Sequence, residues 1–252
     1  MILRAGIPAV RVAGTTLAVA AVAWLVVIRQ TDGMQSAPGT MGLGAAAFVG
    51  LWTVMMAAMM LPALVPVGVL YAGEGRGQGA RAAGLGGGYL LVWAAFGVLA
   101  LLLSAGAARL ADRSGTAADW IGAGLLVVAG VYQLSPLKER CLSLCRSPLH
   151  LLHRVGAYTG RTRHVRAGAY HGAYCVGCCW SLMVALLVLG VMNLWWMVAF
   201  TLVITLEKVW RHGGRLAIAA GVALIVLGLL APWHAAAIVP GLHNSPMPMA
   251  GM

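Results

Sequence analysis

Of the chain's 252 residues, 61% are hydrophobic and only 9% charged, and the formal net charge is +11. Most long segments therefore lack the polar face that a helix in water needs, which excludes a soluble domain and makes lipid the natural solvent. The basic excess invites a nucleic-acid reading, but the placement of the basic residues argues against it.

Apolar runs near 12–28, 44–71, 85–104, 119–136, 174–191, 194–209 and 215–233 reach or approach the ~20 residues that a helix needs to cross a hydrocarbon core of ~30 Å. They predict an all-α, polytopic transmembrane helical bundle of about seven helices, a single membrane domain over residues 1–252 with no internal repeat. The alternating polarity of a transmembrane β-strand is missing from these runs. The first run admits a second reading, a signal peptide with Arg4 and Arg11 as its charged start and Ala21-Val22-Ala23 as a cleavage site, although ~17 apolar residues are long for that role.

Helix two carries Met55, Met56, Met59 and Met60 ahead of Pro62, which removes a backbone donor and predicts a kink. Met56, Met59 and Met60 share a helical face. Thioether sulfur is a copper(I) ligand, so these methionines, with Met183 on helix five, form a candidate transfer path. Methionine is equally a flexible core filler, and both readings stand.

A basic loop from 135 to 170 follows helix four, and the five cysteines flank it: Cys141 and Cys145 just past helix four, and Cys175, Cys178 and Cys179 at the start of helix five. Both clusters are expected at one depth, and the 29 residues between Cys145 and Cys175 close on themselves at modest entropy cost. Helical spacing aligns His171, Cys175, Cys178 and Cys179 in one stripe, and Cys141 with Cys145 in another. One isolated cysteine in such a chain is a small hydrophobe. Five at paired spacing beside a histidine point to a metal site instead, and soft thiolates suit copper(I), zinc or an iron–sulfur centre.

Gly190-Val191-Met192-Asn193 predicts a tight turn that splits the long apolar stretch after Cys175 into helices five and six. Counting residues from that turn returns Glu207 and Lys208 to the cysteine layer as candidate polar partners. Ionisable residues at such a depth are paired or functional, or else they snorkel to the interface beside Trp210. The tail from 234 to 252 holds His234, His243, Met247, Met249 and Met252 among prolines and glycines, and reads either as a copper-capturing segment or as a plain chain end.

With the N-terminus in the cytoplasm and the C-terminus outside, fourteen of the 17 basic residues fall on the cytoplasmic face. The outer face keeps Arg29, Arg109 and Arg113 against Asp32, Asp112 and Asp119. That asymmetry is the positive-inside pattern and contact with anionic lipid, not nucleic acid. Trp120, Trp195, Trp196 and Trp233 then fall near outer helix ends, and Trp180 and Trp210 near inner ones, as interfacial anchors do.

The segments MMAAMMLP from Met55, CLSLCRSPL from Cys141, and GCCWSLMVALLVLGVMNLWWM from Gly177, running on to Glu207-Lys208, resemble a bacterial family of predicted metal-binding integral membrane proteins of unknown function. The resemblance covers helices two to six. It implies a metal site at Cys141, Cys145, Cys175, Cys178 and Cys179 and a multi-pass place in the bacterial cytoplasmic membrane, and it implies no reaction.

The leading expectation is a protein that binds, delivers or transports a transition metal ion, copper(I) before zinc, and meets a metalloprotein or metallochaperone. The alternative is a membrane thiol–disulfide oxidoreductase using the Cys175-x2-Cys178 pair. A haem carrier would need facing mid-membrane histidines, and motifs for nucleotide binding, acyl hydrolysis or zinc proteolysis are missing.

Overall fold

The computed structural model describes residues 7–31, 43–73, 77–191, 193–234 and 238–239. Arg4, Asp32, Arg76, Met192 and the tail residues His243, Met247, Met249 and Met252 lie outside the described residues. Among the described residues there are nine helices and no strand: α1 (Ile7–Thr31), α2 (Ala45–Ala72), α3 (Gln78–Arg113), α4 (Gly115–Gln133), α5 (Pro136–Arg146), α6 (Pro148–Val155), α7 (Arg163–Gly190), α8 (Leu194–Val209) and α9 (Gly213–Leu230).

The expected count of about seven is corrected inside the basic loop. Residues 135–170 are largely helical, because two Ser-Pro-Leu tripeptides start short helices there. Ser135 accepts a hydrogen bond from Lys138 N at the head of α5, and Ser147 accepts one from His150 N at the head of α6. Each is followed by a proline in the first turn, where a missing N–H costs nothing. α7 then begins at Arg163, three turns before the expected 174, and α3 starts at Gln78 rather than 85.

Among the described residues, six helices are long and apolar enough to cross a membrane: α1, α2, α3, α4, α7 and α9. α8, expected as a further span, has 16 residues, a length of about 24 Å against a core of ~30 Å. The turn before it forms as its sequence demands. Gly190 closes α7 at φ +101°, a conformation that favours glycine, and Asn193 caps α8 by accepting from the backbone N–H of Trp195 and Trp196. α2 continues through Pro62 and Pro66.

α2 and α7 form the centre, with 61% and 67% of their apolar windows buried against 22% for α1 and α3. The outer helices turn large apolar side chains outward, among them Leu17 and Leu25 on α1, Leu102 on α3, Val222 and Leu229 on α9. In water such a surface would be an association hazard.

Glycine pairs decide how close the helices come. Gly84 and Gly88 of α3 lie against His164, Val165 and Ala169 of α7, while Gly168 and Gly172 of α7 lie against Leu85, Tyr89 and Val92 of α3. Residue numbers rise together along both helices, so α3 and α7 run parallel. A Cβ at Gly172 would come within 3.1 Å of Val92 Cβ and 3.2 Å of the Tyr89 carbonyl oxygen, so the backbones meet where small residues allow it. α4 and α9 run antiparallel on the same principle, Gly130 against Gly221 and Gly228 against Ala123.

Candidate metal centre

The α3–α7 contact delivers the first feature of the site. Because Gly88, Gly168 and Gly172 let the two helices touch, Tyr89 is buried at 1% exposure and its phenol oxygen lies 2.9 Å from the sulfur of Cys175. One turn earlier on α7, His171 stacks on the Tyr89 ring with centroids 6.0 Å apart.

Helical spacing does the rest on α7. Positions 175, 178 and 179 fall within one turn, and the three sulfurs lie within 4.8 Å of one another, each in a buried residue. Cys178 Sγ is 3.3 Å from Cys179 Sγ, and its thiol also reaches the Cys175 carbonyl oxygen at 3.2 Å. α5 brings Cys145 Sγ to 3.7 Å from Cys178 Sγ. Cys141, one turn back on α5, is half-buried and faces Gly177, where an added Cβ would meet its sulfur at 3.0 Å. Burial pushes the Cys141 thiol up from its ordinary value. All five cysteines are free thiols.

The sequence grouped His171 with these sulfurs. In the fold the mutually close ligand atoms are those of Cys175, Cys178 and Cys179, with Cys145 adjoining through Cys178, and His171 stands one turn away against Tyr89.

Glu207 and Lys208, adjacent in the sequence, go to different places. Lys208 Nζ lies 2.8 Å from the Cys175 sulfur. An ammonium only donates, so the sulfur accepts. Glu207, 1% exposed rather than reaching for water, is held by Lys138 Nζ at 2.9 and 2.8 Å. Gln133 bonds both partners, donating to Glu207 Oε1 at 3.3 Å and accepting from Lys138 Nζ, and Ser181 donates to Gln133 Oε1 at 3.4 Å. Arg146 donates through Nε to the Glu207 carbonyl oxygen at 2.6 Å. This second polar cluster joins α4, α5, α7 and α8.

Met55, Met56, Met59, Met60 and Met183 are all buried at 2% exposure or less, and they belong to the same apolar cluster as the cysteines of α7. Residues that the sequence reading missed are Tyr89, Gln133, Lys138, Arg146 and Ser181. The glycine run before Tyr89 was the one available signal, since glycines in an apolar helix mark a close approach.

The fold and the site together define a helical bundle with apolar outer faces and a buried group of three thiols as candidate ligands. A family model described as PpoB2, copper chaperone, matches residues 49–231, well over half of the chain, and the chain belongs to that family. The matched stretch contains the α2 methionines, both cysteine clusters and the Glu207–Lys208 pair, while α1 and the segment after Ala231 lie outside it. No curated protein and no solved structure matches the chain.

Proposed function

We propose that the chain is a copper(I)-handling membrane protein in which Cys175, Cys178 and Cys179 hold the ion as cargo and Cys145 and Cys141 form the approach from α5. The observation that carries this reading is the group of three buried sulfurs on one turn of α7. Copper(I) is a soft ion that favours thiolate ligands, and geometry and ligand type rather than raw affinity set selectivity among metals. Zinc is the competing cargo, since it too accepts cysteine sulfur. The family's copper-chaperone description supports copper.

In this reading the cargo moves by ligand exchange without a change of oxidation state. Exposure falls from half-buried Cys141 to Cys145 at 4% and to the α7 sulfurs at 0%, so an incoming thiolate-bound ion would meet Cys141 first. The partner is a metallochaperone or metalloprotein offering sulfur. The methionines of α2 and Met183 are proposed as weak thioether steps on the way to or from the buried site.

The membrane in question is the cytoplasmic membrane of a bacterium, with the N-terminus inside, the α5–α6 segment at the cytoplasmic face and the C-terminus outside. Support comes from the placement of fourteen of the 17 basic residues on one side. α8 is proposed to cross as the short return arm of the α7 hairpin, since its end brings Lys208 back to Cys175. A reporter fused after Met252 should be active outside the cytoplasm. Cytoplasmic activity would overturn this topology.

A thiol–disulfide oxidoreductase remains the alternative from another class. It has less support, because exchanging cysteines need access whereas Cys175 and Cys178 are both 0% exposed. Equilibrium competition against a copper(I) chelator, on the full chain in detergent under reducing conditions, tests the proposal. The wild type should hold copper(I), and the Cys178→Ser/Cys179→Ser pair should lose most of it. Equal retention by that variant, or retention of zinc in preference to copper(I), would sink the reading.

A further inference from the structure

The geometry points to Lys208 as the residue that makes this site discriminate by ionic charge, favouring a monovalent over a divalent ion. The inference rests on the copper(I) reading above and adds a selectivity mechanism to it. Lys208 ends α8 with its ammonium nitrogen 2.8 Å from Cys175 Sγ, in a bundle whose neighbouring carboxylate is already engaged. Glu207 is ion-paired with Lys138 at 2.8 Å, and Arg146 adds a further positive group at the Glu207 carbonyl oxygen. The charge of Lys208 therefore acts on the sulfurs and on whatever they hold.

An ion bound to Cys175 sits about 2.3 Å from its sulfur, so the ammonium lies no more than about 5 Å from the ion. A fixed positive charge there opposes a divalent ion twice as strongly as a monovalent one. Copper(I) and zinc(II) are both closed-shell d10 ions, which makes charge a chief difference between them at an all-sulfur site. For one unit of charge at about 5 Å in a medium of effective dielectric ~20, the bias is on the order of 100-fold in relative affinity. The total charge agrees in sign. Three thiolates with copper(I) carry −2, which Lys208 reduces to −1, and burying the larger charge without Lys208 disfavours the copper(I) form more than the zinc(II) form.

Tyr89 offers the matching control. It touches the same sulfur from α3 at 2.9 Å but carries no charge, so its loss should affect both ions alike. Any change in how readily Cys175 gives up its proton also cancels in the ratio, because either ion displaces that same proton.

The test is a pair of chelator competitions, copper(I) and zinc(II), on the full chain in detergent. Lys208→Gln, which keeps an N–H donor and drops the charge, should shift the ratio of affinities toward zinc by at least about tenfold. Lys208→Arg should restore the wild-type ratio, and Tyr89→Phe should leave it unchanged. Lys208→Met repeats the test if the glutamine variant does not fold. An unchanged ratio in the neutral variants, with the wild type still binding copper(I), overturns the role of Lys208 alone. Failure of the wild type to bind copper(I) overturns the underlying reading and this inference with it.

Discussion

Two buried polar clusters lie within a turn of each other on α7, and they are built on opposite plans. The cluster around Ser181 is closed: Lys138 meets Glu207, Gln133 bonds both, and Ser181 completes the chain. The cluster around Cys178 is open, with three sulfurs facing one another while the Lys208 ammonium donates to Cys175 and the Tyr89 phenol lies within hydrogen-bond distance of the same sulfur. A closed network satisfies its own groups and rigidifies the bundle. Converging soft donors of this kind are the ligand set that the proposed function uses. Adjacent residues, Glu207 and Lys208, serve one cluster each.

Disrupting the closed cluster should cost the most. Glu207→Ala strands the Lys138 ammonium inside the bundle and should cost roughly 3–5 kcal/mol of stability, while Lys138→Met with Glu207→Leu should recover most of that loss. Denaturant or thermal unfolding in detergent reads both. An unaltered unfolding transition in Glu207→Ala would show that the pair is not the buried clamp described here.

Next in size is the glycine contact that places Tyr89. Gly172→Val drives a side chain into Val92 and the Tyr89 backbone, and overpacking of this kind should cost about 1–3 kcal/mol. Gly86 on the same stretch of α3 has open space around it, so Gly86→Ala should be neutral or slightly stabilising, by up to about 1 kcal/mol. Equal effects from the two substitutions would contradict the parallel α3–α7 packing.

How much of this could be read beforehand follows from the kind of signal each feature leaves. Continuous apolar runs and the Gly190–Asn193 turn were legible, because length and a glycine in a special conformation are local properties. α5 and α6 were missed although their Ser-Pro starts are also local, since the charges of the loop outweighed the caps. Helical spacing groups His171 with Cys175, Cys178 and Cys179, whereas the fold brings the three sulfurs within 4.8 Å of one another and stacks His171 on Tyr89, a partner that lies on another helix and leaves no trace in the spacing. The clamp was not legible. In the sequence Lys138 is one more basic residue of the loop, and its pairing with Glu207 spans 69 positions, a tertiary contact that no periodicity reports. The partner of Lys208 is likewise set by the α7–α8 hairpin and not by the adjacent glutamate.

Two smaller effects sharpen the open cluster. Tyr89→Phe removes one hydrogen bond from Cys175 and should weaken copper(I) binding by roughly three- to tenfold, about 1 kcal/mol, with little change in stability. Full retention of affinity would mean that the phenol does not tune the sulfur. Cys141, the half-buried thiol, should be the first of the five to react with a maleimide. Because burial raises its thiol, little thiolate is present near neutral pH, and the rate should climb as pH rises toward the raised value. Earlier labelling of Cys178 or Cys179 would contradict the graded exposure from α5 to α7.

In the proposed function the three α7 sulfurs hold copper(I). X-ray absorption at the copper edge of the copper(I)-loaded chain reads those ligands themselves. The expected spectrum has a first shell of sulfur at about 2.3 Å that collapses in Cys178→Ser/Cys179→Ser. A shell of nitrogen or oxygen scatterers, or a sulfur shell unaltered by that double substitution, would contradict it.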